Sequence, residues 1–165
     1  MQDPFRRATL GAGVFYRDPT AALDWLERAF GFERHTVVRD RDGELVHSEM
    51  RIGDACIIVD SEWSSHVASP ASVGAKNTQA LYIKLKGGLD DHCEHARQAG
   101  AEILQEPEDQ IYGDRTYRAR DPEGHVWTFI QPVQSVFREA AGRPSVRHEP
   151  ENSTLAWFLT RIGSP

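Results

Sequence analysis

His47 and Glu49 are the pair of side chains whose types and spacing best suit chemistry. They lie two residues apart in segment 44–51, which has the character of a β-strand, and alternate residues of a strand project from the same face. An imidazole and a carboxylate on one face could act as a base and its orienting group, ligate a metal, or recognise a polar ligand. A solvated or cross-strand-paired duo is the alternative, and the sequence leaves both open.

His92 and His95 form a second candidate pair. They lie one turn apart in a predicted helix, beside Asp91 and Glu94. Two histidines at this spacing resemble a metal-binding pair. Charged neighbours are, however, typical of a solvated helix face, where residues three and four apart interact. We therefore predict that this face is exposed.

The composition predicts one globular domain without a polyanionic partner. The chain has 165 residues, of which 39% are hydrophobic and 27% charged, a size at which one core can be well buried. Its 19 basic and 25 acidic residues give a net charge of −6 and are interspersed, which argues against binding to nucleic acid or an anionic membrane. No apolar run reaches the length of a membrane span, and no secretory signal precedes the domain, so we predict a cytoplasmic protein.

A weak internal repeat organises the chain. In the first half, apolar segment 12–16 precedes a predicted helix. It opens at Asp18-Pro19-Thr20, where Thr20 or Asp18 can cap, and ends at Gly31, where a left-handed cap is expected. In the second half, segment 80–85 precedes helix 89–99. Three strand-like runs follow each helix: 36–39, 44–51 and 55–60, then 102–105, 116–120 and 125–131. Both halves therefore have the order β-α-β-β-β.

This repeat predicts an α+β fold in which two βαβββ modules form a cupped, partly open eight-stranded sheet with the helices outside. The modules span about 8–60 and 78–132, and the Ser-, Ala- and Gly-rich segment 61–77 links them within one domain, 1–132. The concave face of such a cup is a cavity, so the fold predicts a ligand pocket. Residues 133–165 form a C-terminal extension, with a short helix predicted over 153–162.

Segment 112–129, YGDRTYRARDPEGHVWTF, resembles the closing part of the vicinal oxygen chelate superfamily, which includes glyoxalases, bleomycin-resistance proteins and dioxygenases, and in particular its PhnB-like branch. Supporting matches are DP through AFGF within 18–32 and HSEMRIGD over 47–54. The resemblance implies the cupped fold. It does not fix an activity, because one fold hosts many chemistries.

In metal-using members of this superfamily, the resemblance implies a divalent ion held by His or Gln on the first strand and Glu on the last strand of each module. The repeat places the last-strand positions at Ile57 and Thr128, neither of which is a carboxylate. The first-strand positions fall at 10–11 and 79–80, where Gln79 alone has a ligand atom. Because a metal needs three or more good ligands, we predict no cofactor. The candidates for a substitute divalent-metal site are His47, Glu49 and Gln79.

Aromatic and polar side chains near the expected cup supply further contacts. Tyr112 and Arg115 lie in a loop at its rim, where a ring and a cation could close over a ligand, although Arg115 could instead pair with Asp114 or Asp121. The predicted ligand-binding residues are Phe15, Trp63, Gln79, Tyr112, Arg115 and Thr128. The predicted catalytic residues are His47 and Glu49. The residues expected to face one cavity are His47, Glu49, Gln79 and Thr128.

Three functions are compatible with these residues. The first is a metal-independent small-molecule-binding protein of the bleomycin-resistance type, a homodimer that holds a drug-sized or metabolite ligand; the net negative charge suits a cationic guest. The second is a glyoxalase-like lyase or isomerase, or a related enzyme, that uses a non-standard metal or a His47–Glu49 acid–base pair. The third is a regulatory partner protein that uses the tail around Trp157.

Overall fold

The structure is a computed structural model that describes residues 10–133. The bounds of its elements are β1 Ala12–Tyr16, α1 Pro19–Phe30, β2 Glu33–Arg39, β3 Leu45–Ile52, β4 Ala55–Ser61, a short 3-10 helix Pro70–Val73, β5 Leu81–Lys84, α2 Leu89–Gln98, β6 Glu102–Asp109, β7 Asp114–Arg120 and β8 Val126–Pro132. The order βαβββ occurs twice, so the α+β class and the repeat are confirmed. The helix predicted over 153–162 lies outside the described residues.

Helix α1 begins and ends where the sequence indicated. The Asp18 carboxylate accepts a hydrogen bond from the backbone N–H of Ala21 at 2.9 Å, which satisfies one of the free N–H groups of the first turn. Pro19 lies in that turn, and Gly31 ends the helix with φ 74°, a left-handed conformation that glycine adopts without strain. Within residues 10–133, no helix is long and apolar enough to cross a membrane.

The strands form two four-stranded sheets, sheet 1 with the order β1-β4-β3-β2 and sheet 2 with the order β5-β8-β7-β6. In each sheet the first strand pairs in parallel with the last. The prediction joined all eight strands in one sheet, but β1 and β5 do not pair. Side chains of the second module bond to the edge of β1 that has no strand partner. The carbonyls of Gly13 and Phe15 accept hydrogen bonds from the side chains of Gln79 and His125.

Both helices lie between the two sheets. Helix α1 packs on sheet 1, α2 packs on sheet 2, and the two helices contact each other. Phe30, at the end of α1, reaches sheet 2, where its ring centroid lies 5.6 Å from that of Trp127 and 4.9 Å from that of Phe129. The helix-bearing faces of the sheets therefore share one apolar core.

A buried carboxylate joins the two modules. Asp121, in the turn between β7 and β8, accepts hydrogen bonds from the Tyr16 hydroxyl at 2.7 Å and from the Trp127 indole at 3.1 Å. Its other oxygen accepts the backbone N–H groups of Glu123 and His125. Burial, followed by the negative charge of Asp121, raises the pKa of Tyr16 well above 10.0, so Tyr16 remains a donor. Because Tyr16 belongs to the first module, this network fixes how the modules sit together.

Strand β6 is longer than predicted. The sequence predicted 102–105, and the strand continues to Asp109 through Pro107. Because β6 is the outer strand of sheet 2, one side of its backbone has no strand partner, and proline is tolerated at such a position. Register shifts on either side of Gln105 mark the resulting irregularity.

Candidate ligand-binding site

Each sheet has a second face, turned away from the shared core, on which neither α1 nor α2 packs. We call these surfaces the open face of sheet 1 and the open face of sheet 2, and the strand register assigns side chains to them by alternation. The open face of sheet 1 carries Phe15, Thr36, Val38, His47, Glu49, Arg51, Cys56, Ile58 and Asp60. The open face of sheet 2 carries Tyr82, Lys84, Glu102, Gln105, Glu108, Asp114, Thr116, Arg118, Arg120, Val126, Thr128 and Ile130.

His47 lies between two carboxylates on the open face of sheet 1. Its Nε2 is 3.5 Å from Oε1 of Glu49, and its Nδ1 is 3.2 Å from Oδ2 of Asp60. The side chains of Glu49 and Asp60 are each 13% exposed. Asp60 also accepts the backbone N–H of Ser48 at 2.8 Å, and Glu49 accepts the Thr36 hydroxyl at 3.3 Å. The prediction that His47 and Glu49 share a face is confirmed, and the structure adds Asp60 to them.

Phe15 and Trp63 form an aromatic pair at the Asp60 end of this group. Phe15 is the register partner of Asp60 across β1 and β4, and its ring makes an edge-on contact with Trp63 at a centroid distance of 6.5 Å. Trp63 follows β4, contacts His66, and is 61% exposed. An exposed indole beside carboxylates is a suitable surface for a flat ligand, above all a cationic one.

The open face of sheet 2 presents different groups. Tyr82, Thr128 and Arg118 are register partners in one row across β5, β8 and β7. Thr128 is 3% exposed, whereas Tyr82 is 63% exposed. This row offers hydroxyl and guanidinium donors where sheet 1 offers carboxylate acceptors.

The predicted site residues are divided between the two open faces. His47 and Glu49 lie on sheet 1 and Thr128 lies on sheet 2. Gln79 precedes β5, and its amide donates to the carbonyl of Gly13 at 2.9 Å. A single chain therefore does not bring these four side chains to one cavity, because the helices occupy the space between the sheets.

The family's metal positions contain no ligand set in this chain. Thr128 pairs with Tyr82, and the corresponding pair in sheet 1 is Ile58 with Gly13, so the position predicted as Ile57 was wrong by one residue. The cause is turn length: two residues separate the paired ends of β3 and β4, and five separate those of β7 and β8. Ile57 instead faces the core at 6% exposure. Within residues 10–133, no group of three or more His, Cys, Asp or Glu side chains could hold a metal ion, so the residues present do not fit the family's metal.

Arg115 lies on the helix-bearing face of sheet 2. Its guanidinium donates two hydrogen bonds to Asp90, at 2.8 and 2.9 Å, and one to Asp109 at 2.8 Å. These bonds raise the pKa of Arg115, and the bond from Arg115 lowers the pKa of Asp90. Arg115 therefore forms ion pairs, as one of the two sequence-based alternatives proposed, but with Asp90 and Asp109 in place of Asp114 or Asp121. Tyr112 is 53% exposed in the β6–β7 turn.

His92 lies at the shared core, so the prediction of a solvated face is wrong for it. Its Nε2 is 3.1 Å from the carbonyl of Phe30, and its Nδ1 is 2.5 Å from the hydroxyl of Tyr117. Since a carbonyl only accepts, Nε2 carries the hydrogen and the neutral Nδ1 accepts from Tyr117. Removal from water lowers the pKa of His92 below 6.5 and raises the pKa of Tyr117. His95, one turn along, is exposed.

An open cleft of about 360 Å³ lies between α1 and the β7–β8 turn. Its walls include Trp25, Arg28 and Glu123. None of the predicted ligand-binding or catalytic residues lines it. The candidate site therefore consists of the two open faces and not of this cleft.

Sequence reasoning missed Asp60, Tyr82 and Arg118. One signal for Asp60 was available, because counting outward from the Gly53-Asp54 turn places His47 opposite Asp60 in a two-residue hairpin. Tyr82 and Arg118 had no such signal. Both residues became candidates because they lie beside Thr128. Only the pairing of β5, β8 and β7 places them there.

The chain belongs to the Glyoxalase/Bleomycin resistance protein/Dioxygenase superfamily, whose family model matches residues 9–129. An uncharacterized protein from Mycobacterium bovis is 29% identical over 123 residues, which are 72% of this chain and 80% of that protein. An uncharacterized protein from Mycobacterium tuberculosis is 29% identical over 123 residues, which are 71% of its own length.

Solved structures share the fold. TioX from Micromonospora sp. ML1 has a TM-score of 0.63 and 28% identity, and the match covers 76% of this chain and 99% of TioX. TnmS3, an antibiotic binding protein from Streptomyces sp. CB03234, has a TM-score of 0.59 and 16% identity, with 79% of this chain and 99% of TnmS3 covered. At 16% identity the likeness to TnmS3 concerns the fold alone.

Proposed function

We propose that this protein is a metal-independent small-molecule-binding protein whose ligand is a drug-sized, aromatic molecule with a cationic group. The observation that carries the proposal is the open face of sheet 1, where Phe15 lies beside Asp60 and contacts the exposed Trp63, and where Glu49 and Asp60 flank His47. TnmS3, whose fold this chain shares, is an antibiotic binding protein, so the fold is compatible with a drug-sized ligand. The PhnB-like branch stays a prediction.

Electrostatics favours a cation on the open face of sheet 1. Glu49 and Asp60 are largely screened from water at 13% exposure, and a half-buried carboxylate interacts with a cation more strongly than an exposed one. Arg51, on the same face, is the register partner of Glu33 at the far end of β3. A cationic guest beside Trp63 would thus meet both carboxylates and an aromatic ring.

We further propose a homodimer in which sheet 1 of one copy and sheet 2 of the other form one cup. Two observations support this arrangement. The open faces of one chain point away from each other, so each is half of the concave surface that the fold predicts. They also carry complementary groups: Glu49 and Asp60 beside Arg51 on sheet 1, and Lys84 and Arg118 beside Glu102 and Glu108 on sheet 2. Sedimentation equilibrium should give twice the 18.6 kDa chain mass; a monomer that binds ligand with full affinity would contradict the dimer.

Calorimetric titration with a panel of cationic aromatic antibiotics, bleomycin among them, tests the ligand class. We expect Trp63→Ala and the pair Glu49→Gln with Asp60→Asn each to weaken binding by about tenfold or more, because they remove the stacking ring and the counter-charges. The control variants are Ile111→Ala, an apolar residue 89% exposed in a turn, and Asp42→Asn in the β2–β3 turn. Equal affinity in the site variants and the controls would reject the proposed site.

A metal-free lyase or isomerase that uses His47 and Glu49 is the second candidate. It is favoured by the 3.5 Å separation of Nε2 and Oε1, a geometry suited to proton transfer after a small movement. Asp60 argues against this enzyme. Its carboxylate lies 3.2 Å from Nδ1 of His47, so neither ring nitrogen is directed at a ligand. Conversion of a glyoxalase-type substrate that is lost in His47→Gln would favour the enzyme.

Metal independence has its own test. Metal-stripped protein is titrated with nickel, manganese, zinc and ferrous ions by calorimetry, in parallel with His47→Ala. We expect no stoichiometric binding to either protein, because the family's ligand positions hold Ile58 and Thr128. Binding that the variant loses would revive the substitute site of His47, Glu49 and Gln79.

A further inference from the structure

We infer that the open face of sheet 2 contains an oxyanion-recognising subsite, formed by Arg118 with Tyr82 and Thr128, for a carboxylate, phosphate or sulfonate group of the ligand. The inference rests on the proposed function and adds a chemical requirement to it. The ligand would carry an anionic group as well as an aromatic and cationic part.

The positions of the three side chains on sheet 2 allow all of them to contact one anionic group. Tyr82, Thr128 and Arg118 occupy adjacent strands at the same level of sheet 2, and neighbouring strands are about 4.8 Å apart. The three side chains thus span about 10 Å on one face, with Thr128 in the middle at 3% exposure. Two hydroxyl groups and a guanidinium in one row are all donors toward an oxyanion.

Arg118 differs from the other two arginines of sheet 2 in its neighbours. Arg120 donates to Glu102 at 2.8 Å, and Arg115 is bound by Asp90 and Asp109. The register partner of Arg118 on β6 is Gln105, a neutral amide. Among residues 10–133 the guanidinium of Arg118 has no carboxylate within ion-pair distance.

Gln105 does not substitute for that missing acceptor. Its amide nitrogen donates to the Thr116 hydroxyl at 3.3 Å, which directs the amide along β7 toward the next row. The charge of Arg118 is therefore available to a ligand, and its forked N–H groups match the two oxygens of a carboxylate or the oxygens of a phosphate or sulfonate.

The two faces together define the polarity of the ligand. In the proposed dimer, Glu49 and Asp60 of sheet 1 would hold the cation and Arg118 of sheet 2 the anion. A ligand bound in the opposite orientation would place its anionic group beside Glu49 and Asp60 and its cationic group beside Arg118. The resulting repulsion between like charges is unfavourable. Orientation and selectivity would then come from charge, and most of the apolar contact from Phe15 and Trp63.

Two fluorescent probes with the same aromatic frame test the subsite: anilinonaphthalene sulfonate, and N-phenyl-naphthylamine, which lacks the sulfonate. We expect wild-type protein to prefer the sulfonate probe by about tenfold. Arg118→Gln should remove that preference and leave the affinity for the neutral probe unchanged. Arg118→Lys should keep part of the preference, because the charge remains without the fork. Arg41→Gln, the same change of charge in the β2–β3 turn, is the matched control.

The outcomes separate the two levels of the hypothesis. If the neutral probe binds and Trp63→Ala weakens it, but wild type and Arg118→Gln treat both probes alike, the anion subsite is rejected and the proposed binding function stands. If neither probe binds and the cationic aromatic antibiotics of the calorimetric panel do not bind either, or if all of them bind equally well to Phe15→Ala and Trp63→Ala, the proposed function fails and the subsite fails with it. A preference that survives Arg118→Gln but disappears in Arg41→Gln would also overturn the subsite.

Discussion

The inner and open faces of the two sheets are made of the same strands but built on different principles. The inner faces share a core in which the polar groups are paired, as the four hydrogen bonds to Asp121 illustrate. The open faces carry more exposed charges, among them Arg118 on sheet 2, which has no carboxylate within ion-pair distance among residues 10–133. Groups whose hydrogen bonds are all satisfied within the chain stabilise it, whereas charges that lack partners are available to a ligand.

A change at Asp121 should have the largest effect on stability. Asp121→Ala leaves the Tyr16 hydroxyl and the Trp127 indole without their acceptor in a buried place. We expect the free energy of unfolding to fall by about 3 kcal/mol or more, as measured by urea denaturation. Asp121→Asn, which retains one acceptor oxygen, should lose less. A loss of less than about 1 kcal/mol, the size expected for an exposed ion pair, would contradict the stabilising role of this buried network.

The pH dependence of stability should separate the two faces further. Burial lowers the pKa of His92 in the folded state below its ordinary 6.5, so the folded protein binds fewer protons than the unfolded chain in that range. His92 therefore contributes stability that is fully present above about pH 6.5 and is lost as the pH falls through the lower folded-state pKa.

The measurement is the free energy of unfolding between pH 7.5 and 5, a range of about one unit either side of the ordinary histidine pKa. His92→Gln, whose amide can still donate to Phe30 and accept from Tyr117, should flatten the profile relative to wild type. The matched control is His35→Gln on the outer strand β2, where the wild-type slope should persist. Identical slopes in the two variants would contradict the role of His92.

Arg115 should give the smallest effect. It is held by three hydrogen bonds to Asp90 and Asp109, whose side chains are 61% and 56% exposed. Exposed ion pairs contribute little because water and salt screen them. We expect Arg115→Ala to change the unfolding free energy by no more than about 1 kcal/mol and to leave binding of both naphthalene probes unchanged. A selective loss of sulfonate binding would return Arg115 to the ligand site in place of Arg118.

Local signals predicted the elements well. Asp18, Pro19 and Gly31 bound α1 in the sequence and in the structure, because caps act through neighbouring backbone groups. Similarly, the alternation of His47 and Glu49 placed both on one face. The predictions failed where a segment distant in the sequence determined the surroundings of a side chain. His92 has charged neighbours in sequence, yet α1 covers it in the fold.

The sequence by itself determined two βαβββ modules, their strands and helices, and the absence of the family's carboxylate ligands. Only the tertiary structure decided that the helices lie between the sheets and that Arg118 lies in a row with Tyr82 and Thr128. Side-chain alternation has a period of two residues, so the difference in length between the β3–β4 and β7–β8 turns reversed the face assigned to Ile57. Local patterns specify which residues share a face; long-range packing specifies what that face meets.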